Sequence, residues 1–264
     1  MKLGVIGLGV VGQACFDSFK EIGNEVLGHD IKLDTRIDDV ISAEIIYVCV
    51  PTPSNADGSC NTSIVESVIS ELCDLEYNGV IAIKSTIEPG FTDRIIQKHE
   101  NNNICFVPEF LRERCAKEDF LNYGTLVVGS ENKNIVDLII KSHADVFSGV
   151  KIMSPSEAEL VKYFHNTFNA MRVSFANSYY EISQFLNADY EKVLEGVLSR
   201  NDYNSDYLKV NDDLRGFSGP CLPKDTNAMS SFCLKNNLNT NIFKSILDDN
   251  EKRKKTVFKG MRDE

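Results

Sequence analysis

Within the first dozen residues a short apolar run, residues 2–7, gives way to Gly7-Leu8-Gly9-Val10-Val11-Gly12, after which Cys15, Phe16 and Phe19 recur at helical spacing. A strand, a glycine turn and a helix in that order constrain the fold more than any other feature, because this is the context in which G-x-G-x-x-G has a mechanism. Gly7 allows the tight turn, Gly9 lets the backbone approach a pyrophosphate, and Gly12 lets helix and strand pack closely. Unpaired N–H groups at the helix start, aided by the helix dipole, favour phosphate there. Asp30 ends the next strand, eighteen residues after Gly12, where a carboxylate accepts hydrogen bonds from a ribose and repels a 2′-phosphate. The pattern implies a site for NAD rather than NADP.

Further β-rich runs at 25–29, 45–50, 80–84, 104–107 and 125–128 alternate with segments long enough for helices at 62–74, 91–100 and 132–143. The run at 45–50, Ile-Ile-Tyr-Val-Cys-Val, is apolar on both faces, as a central parallel strand is. This alternation predicts an α/β fold whose first domain, residues 1–153, is a Rossmann-type, doubly wound sheet. Ser154-Pro155 reads as a helix start, and Leu160, Phe164, Phe168, Met171, Phe175 and Tyr179 mark one long amphipathic helix over 156–187. Residues 189–199, 223–236 and 240–262 also read as helical, around an irregular loop at 200–222. A second, all-helical domain is therefore expected over 154–264.

At 264 residues and 42% hydrophobic content the chain is large enough for two such domains. Its apolar runs are far below membrane-spanning length, and it opens into a strand pattern instead of a signal peptide, so a cytoplasmic protein with no membrane partner is expected. Eight cysteines (Cys15, Cys49, Cys60, Cys73, Cys105, Cys115, Cys221 and Cys233) show no C-x-x-C spacing, which argues for reduced thiols and no metal site. A net charge of −11 argues against nucleic acid as a partner, and the basic run Lys252 to Lys255 reads as a solvated helix face.

The loop Gly216-Phe217-Ser218-Gly219-Pro220-Cys221-Leu222-Pro223-Lys224-Asp225 places one cysteine in glycine-rich surroundings, just before a helix start signalled by Pro223. A helix N-terminus and Lys224 both favour a thiolate there, and a thiolate is the nucleophile that captures an aldehyde. Lys162 and Asn166, four apart on the long helix, project from one face, one turn apart.

Together with Val50-Pro51-Thr52-Pro53, Lys84-Ser85-Thr86, Pro89-Gly90-Phe91-Thr92, Pro108-Glu109-Phe110-Leu111-Arg112-Glu113 and Ala158-Glu159-Leu160-Val161-Lys162-Tyr163, this loop resembles the UDP-glucose/GDP-mannose dehydrogenase family over nearly the whole chain. The resemblance implies a nucleotide-sugar substrate, oxidised from alcohol to carboxylate by two hydride transfers to NAD through a thiohemiacetal and a thioester on Cys221. It implies that Lys162 and Asn166 stabilise the oxyanion, that Asp225 positions water and that Glu109 is the base for thioester hydrolysis. Thr86 and Glu113 fall at neighbouring active-site positions, and Pro51, Thr52, Ser85, Thr86 and Glu113 beside the cofactor. Helical domains of this family pair across their long helix, so a homodimer is implied as well. Ser218 stands where the family motif has glycine, Leu222 where an aromatic is common, and Ser178 where glutamate is common. Family members usually continue into a third domain that supplies much of the nucleotide pocket, and the resemblance ends before it. A high KM and slow turnover on UDP-glucose are therefore expected. Two other readings stay open: a single-hydride dehydrogenase of the β-hydroxyacid type, which needs no cysteine, and a non-catalytic NAD-binding module that works with a partner domain.

Overall fold

A computed structural model describes residues 1–144, 146–200, 202 and 204–258. The chain divides into two compact units, the first made of Met1–Asn55 with Cys60–Lys162, the second of Ala56–Ser59 with the chain from Tyr163 onward.

In the first unit, β1 (Lys2–Ile6), α1 (Val10–Glu21), β2 (Glu25–His29), β3 (Ile45–Val48), α2 (Ser63–Asp74), β4 (Val80–Ile83), α3 (Phe91–His99), β5 (Ile104–Phe106), α4 (Ala116–Leu121), β6 (Tyr123–Gly129), α5 (Lys133–Ser142) and β7 (Phe147–Met153) follow one another. The strands form one seven-stranded sheet in the order β2-β1-β3-β4-β5-β6-β7. All neighbours are parallel except β5 and β6, which meet antiparallel at Phe106 and Gly129. Every residue of β3 and β4 is buried. Their alternate side chains enter two separate cores, as a sheet covered on both faces requires. Ile46, Val48, Ile81 and Ile83 pack with Val65, Ile69 and Leu72 of α2 and Phe91 and Ile95 of α3. Ile45, Tyr47, Val80 and Ala82 pack with Cys15 and Phe19 of α1, Phe120 of α4 and Ile135 and Ile139 of α5. The doubly wound sheet expected from the sequence is present. The strand missed, β7, carries Gly149 and Lys151 and is half exposed along its length, so its composition gives little apolar signal.

The long helix α6 (Pro155–Phe185) begins as the Ser-Pro signal predicts. Glu157 accepts the Ser154 N–H at 2.8 Å and the Ser154 hydroxyl at 2.8 Å, a capping box with proline at the first helical position. In the second unit α7 (Tyr190–Leu198), α8 (Leu222–Lys235) and α9 (Ile242–Asn250) complete a helical array. The helix read over 240–262 is shorter than expected. Residues 251–258 leave it to form a bridge between Gly216 and Lys255, and 259–262 lie outside the described residues. The basic run is accordingly no helix face: Arg253 is largely buried and pairs with Glu181 and Asp249. No helix among the described residues is long and apolar enough to cross a membrane.

Glu159, in the first turns of α6, belongs to the first unit. It is fully buried and accepts the Gly90 N–H at 2.5 Å, the Thr92 N–H at 2.9 Å and the Thr92 hydroxyl at 2.6 Å, capping the start of α3. Burial lifts its carboxyl to about 7 against these three donors. Because that value lies above the unfolded one of 4.5, the contribution of this group to stability is complete below 4.5 and is lost as pH rises from there to about 7. Glu159→Gln, which turns an amide donor towards these donors, is expected to cost about 1–3 kcal/mol. Urea unfolding at pH 5 and pH 8 checks this, with the larger deficit at pH 5; an equal deficit at both would contradict the assignment.

Candidate active site

The carboxyl ends of the parallel strands gather the cofactor candidates of the first unit: the glycine turn after β1, Asp30 after β2, Pro51 and Thr52 after β3, and Ser85 and Thr86 after β4. Ligands of open α/β sheets bind at this edge. The three glycines differ in what fixes them. Gly7 has φ +88°, and a Cβ there would stand 2.9 Å from the Cys49 carbonyl and the Val50 nitrogen. A Cβ at Gly12 would lie 1.8 Å from the Gly7 oxygen, so helix and turn could not keep this distance. At Gly9, the N-cap of α1, no atom beyond its chain neighbours lies within 4 Å of that position. Packing explains Gly7 and Gly12 but not Gly9, whose bareness leaves the helix N-terminus open to a pyrophosphate. The residues present thus fit a dinucleotide.

Asp30 is held by two backbone amides. Its carboxylate accepts the Leu8 N–H at 2.7 Å and the Lys32 N–H at 2.9 Å. The Lys32 and Leu8 amides hold its carboxyl below the usual range against the cost of burial, and the charge disfavours a 2′-phosphate. Ser85 is buried and donates to the Val48 and Val50 carbonyls at 3.2 and 2.7 Å, fixing the chain between β3 and Pro51. Thr52 is buried, Pro51 is exposed, and Thr86 is partly buried with its carbonyl facing the Cys60 thiol at 3.4 Å.

Beyond β5 the first unit holds a buried ion pair. The Lys162 ammonium meets the Glu109 Oε1 at 2.9 Å and donates to the Glu109 carbonyl at 2.6 Å, while Glu109 Oε2 accepts the Leu111 N–H at 2.7 Å. The ammonium also lies 5.6 Å from the Phe110 ring centre. Glu113 sits on the short 3-10 turn Glu113–Cys115, partly exposed.

In the second unit Cys221 is exposed and is the N-cap of α8, with Pro223 in the first helical turn. One turn into that helix Asp225 is 1% exposed. It accepts the Asn166 amide at 2.5 Å and pairs with Lys224 at 2.9 Å. None of the eight cysteines is in a disulfide. Lys162 and Asn166, one turn apart on one helix, therefore engage different carboxylates, Glu109 and Asp225. Lys224, expected to favour the Cys221 thiolate, also pairs with Asp225. Ser218 donates its hydroxyl to the Thr256 carbonyl, Leu222 packs with Phe217 and Ile246, and Ser178 donates back to the Ser174 carbonyl of its own helix. Sequence reasoning used Glu159 only as a motif letter and missed Asn250, because their partners are distant in sequence.

Residues 31–146 match the NAD binding domain of the UDP-glucose/GDP-mannose dehydrogenase family, and residues 156–252 match its central domain. The UDP-glucose 6-dehydrogenase of Campylobacter jejuni is 33% identical over 80% of this chain and 54% of its own length. UDP-glucose 6-dehydrogenase TuaD of Bacillus subtilis is 29% identical over 96% of this chain and 63% of its own. The structure of a UDP-glucose dehydrogenase from Pyrobaculum islandicum aligns over 95% of this chain and 68% of its own, with a TM-score of 0.88 and 26% identity. The chain thus spans between half and two thirds of the length of these two curated relatives.

The glycine geometry separates packing from ligand binding. Gly9→Ala is expected to lower stability by no more than about 1 kcal/mol yet weaken NAD binding at least about tenfold. Gly12→Ala should lower the melting temperature sharply. Thermal melts with calorimetric NAD titration check both; unchanged NAD affinity in Gly9→Ala would contradict the placement of the pyrophosphate.

Proposed function

The chain belongs to the UDP-glucose/GDP-mannose dehydrogenase family, and from that premise we propose that it oxidises a primary alcohol of a nucleotide sugar to the carboxylate, with UDP-glucose the first substrate to test. The observation that carries the reading is an exposed cysteine at the N-cap of α8, one turn from a buried aspartate that Asn166 and Lys224 hold in place. An inert cysteine needs neither exposure nor a buried carboxylate beside it.

NAD, when bound, takes up hydride, and an alcohol carried to an acid gives up two. The first loss also releases the hydroxyl proton, which passes to solvent, and between the two losses the aldehyde must be retained. Cys221 retains it by adding its sulfur to the carbonyl carbon, forming a C–S bond and moving charge onto oxygen, where Lys162 and Asn166 act as donors. Loss of the second hydride leaves a thioester. Water then attacks its carbonyl, oriented by Asp225 and deprotonated by Glu109; the C–S bond breaks, the carboxylate leaves and the thiol is restored. Ser85 and Asp30 serve orientation and cofactor choice, with Thr86 and Glu113 next to the reacting groups.

We also infer a homodimer, in a cytoplasmic setting that suits eight cysteines outside any disulfide. Along α6, Phe164, Phe168, Phe175, Tyr179, Ile182 and Phe185 are exposed, with Phe185 85% accessible. An apolar stripe of this extent on a helix calls for a partner, and a second copy of the same helix supplies one. A sedimentation mass of one chain would contradict it.

NADH yield per UDP-glucose consumed, in wild type beside Cys221→Ser, tests the reaction. Two NADH per sugar in wild type and none leading to acid in the variant are expected. One NADH from a hydroxy acid in both proteins would favour a single-hydride dehydrogenase, and NAD binding without turnover a non-catalytic module.

A further inference from the structure

The loop that carries Cys221 has little regular structure of its own, so something else fixes it. Two elements distant in sequence do. Asn250, the last residue of α9, is 3% exposed, and its side-chain amide pairs with both backbone groups of Phe217: Oδ1 accepts the Phe217 N–H at 2.9 Å and Nδ2 donates to the Phe217 carbonyl at 3.0 Å. A side chain here takes the place of a β-ladder partner. The chain after Asn250 then runs beside the loop. The Gly216 N–H donates to the Lys254 carbonyl at 2.9 Å, the Thr256 N–H donates to the Gly216 carbonyl at 2.9 Å, and the Arg215 N–H donates to the Thr256 hydroxyl at 2.7 Å. Ser218 adds its hydroxyl to the Thr256 carbonyl. The approach is tight: a Cβ at Gly216 would stand 2.6 Å from Asn250 Oδ1 and 3.0 Å from the Arg253 Cβ. Below the loop, Phe217 is buried with Ala170 and Ile246.

We propose that Asn250 is a positioning residue for Cys221, acting through Phe217 to hold the loop so that the thiol is presented at the N-terminus of α8. The proposal rests on the reading of Cys221 as a nucleophile, but its test does not. An asparagine whose amide only filled space would need neither of its two bonds to point at one residue. With both made, the backbone of Phe217 keeps one position, and Cys221 lies four residues on, past Gly219 at φ +80° and Pro220. Without them, the Phe217 N–H and carbonyl lose their buried partners and the loop must shift to recover them.

The test compares wild type, Asn250→Ala, Asn250→Asp and, as a control on the exposed face of α9, Ser245→Ala. Asn250→Asp keeps an acceptor for the Phe217 N–H but sets a carboxylate against its carbonyl. Alkylation by iodoacetamide is followed by mass spectrometry of the Cys221 peptide, with the partly buried Cys115 as internal reference. The expected result is several-fold slower alkylation of Cys221 relative to Cys115 in both Asn250 variants and none in Ser245→Ala. In turnover, kcat falls by about 10-fold to 100-fold while the dissociation constant for NAD stays unchanged. Should Asn250→Ala fail to fold, Asn250→Asp decides alone. An unchanged Cys221 to Cys115 ratio in a folded variant overturns the proposal, as does an equal change at both cysteines, which marks general loosening. If Cys221→Ser keeps full activity, the nucleophile reading fails while the alkylation ratio still decides the role of Asn250.

Discussion

The buried pair of Lys162 and Glu109 is the interaction on which the first unit's share of the site depends. Two charges withdrawn from water each cost several kcal/mol unless every donor and acceptor is matched. Here they are matched from both sides: the ammonium reaches one carboxylate oxygen and the Glu109 carbonyl, and the second carboxylate oxygen takes the Leu111 N–H. The pair fixes the first turns of α6 against the chain leaving β5, with Glu159 doing the same against the start of α3. Each charge is compensated by the other, so the two side chains hold each other in place, and Glu109→Gln still offers the ammonium an amide oxygen and the backbone carbonyl. A lysine held in this way is a cation of fixed position, as the proposed role at a developing oxyanion requires.

The cofactor edge obeys a different constraint. Parallel strands deliver all their carboxyl ends to one side, and each then turns into a helix or a loop. Gly7 and Gly12 are set by contact with the protein itself, Gly9 by the open space at its helix N-terminus, and Asp30 by two backbone amides. In the second unit the equivalent order comes from long-range polar bonds: Asn166 to Asp225 across two helices, and Asn250 to Phe217 between a helix end and a loop. The cysteine itself is exposed, and its surroundings supply the order.

Much of this was legible in the sequence because the relevant physics is local. Glycine sterics, the run of apolar residues in β3, the Ser-Pro start of α6 and the four-residue spacing of Lys162 and Asn166 each depend on neighbours within a turn or a strand. What each polar group binds did not follow. Glu159 meets Gly90 and Thr92, and Asn250 meets Phe217, across separations for which no periodicity speaks. The early end of α9 was hidden for the same reason: residues after Asn250 form bonds with Gly216 that compete with continuing the helix. Strand β7 escaped because its half-exposed face carries no alternation.

Intact-protein mass spectrometry of Glu109→Gln after rapid mixing with UDP-glucose and NAD tests most directly that the substrate is carried on Cys221. With the proposed base for hydrolysis removed, the account predicts an adduct with the mass of the acyl group of the oxidised sugar nucleotide, located on the Cys221 peptide and released by hydroxylamine. NADH formation with no adduct on Cys221 would contradict it.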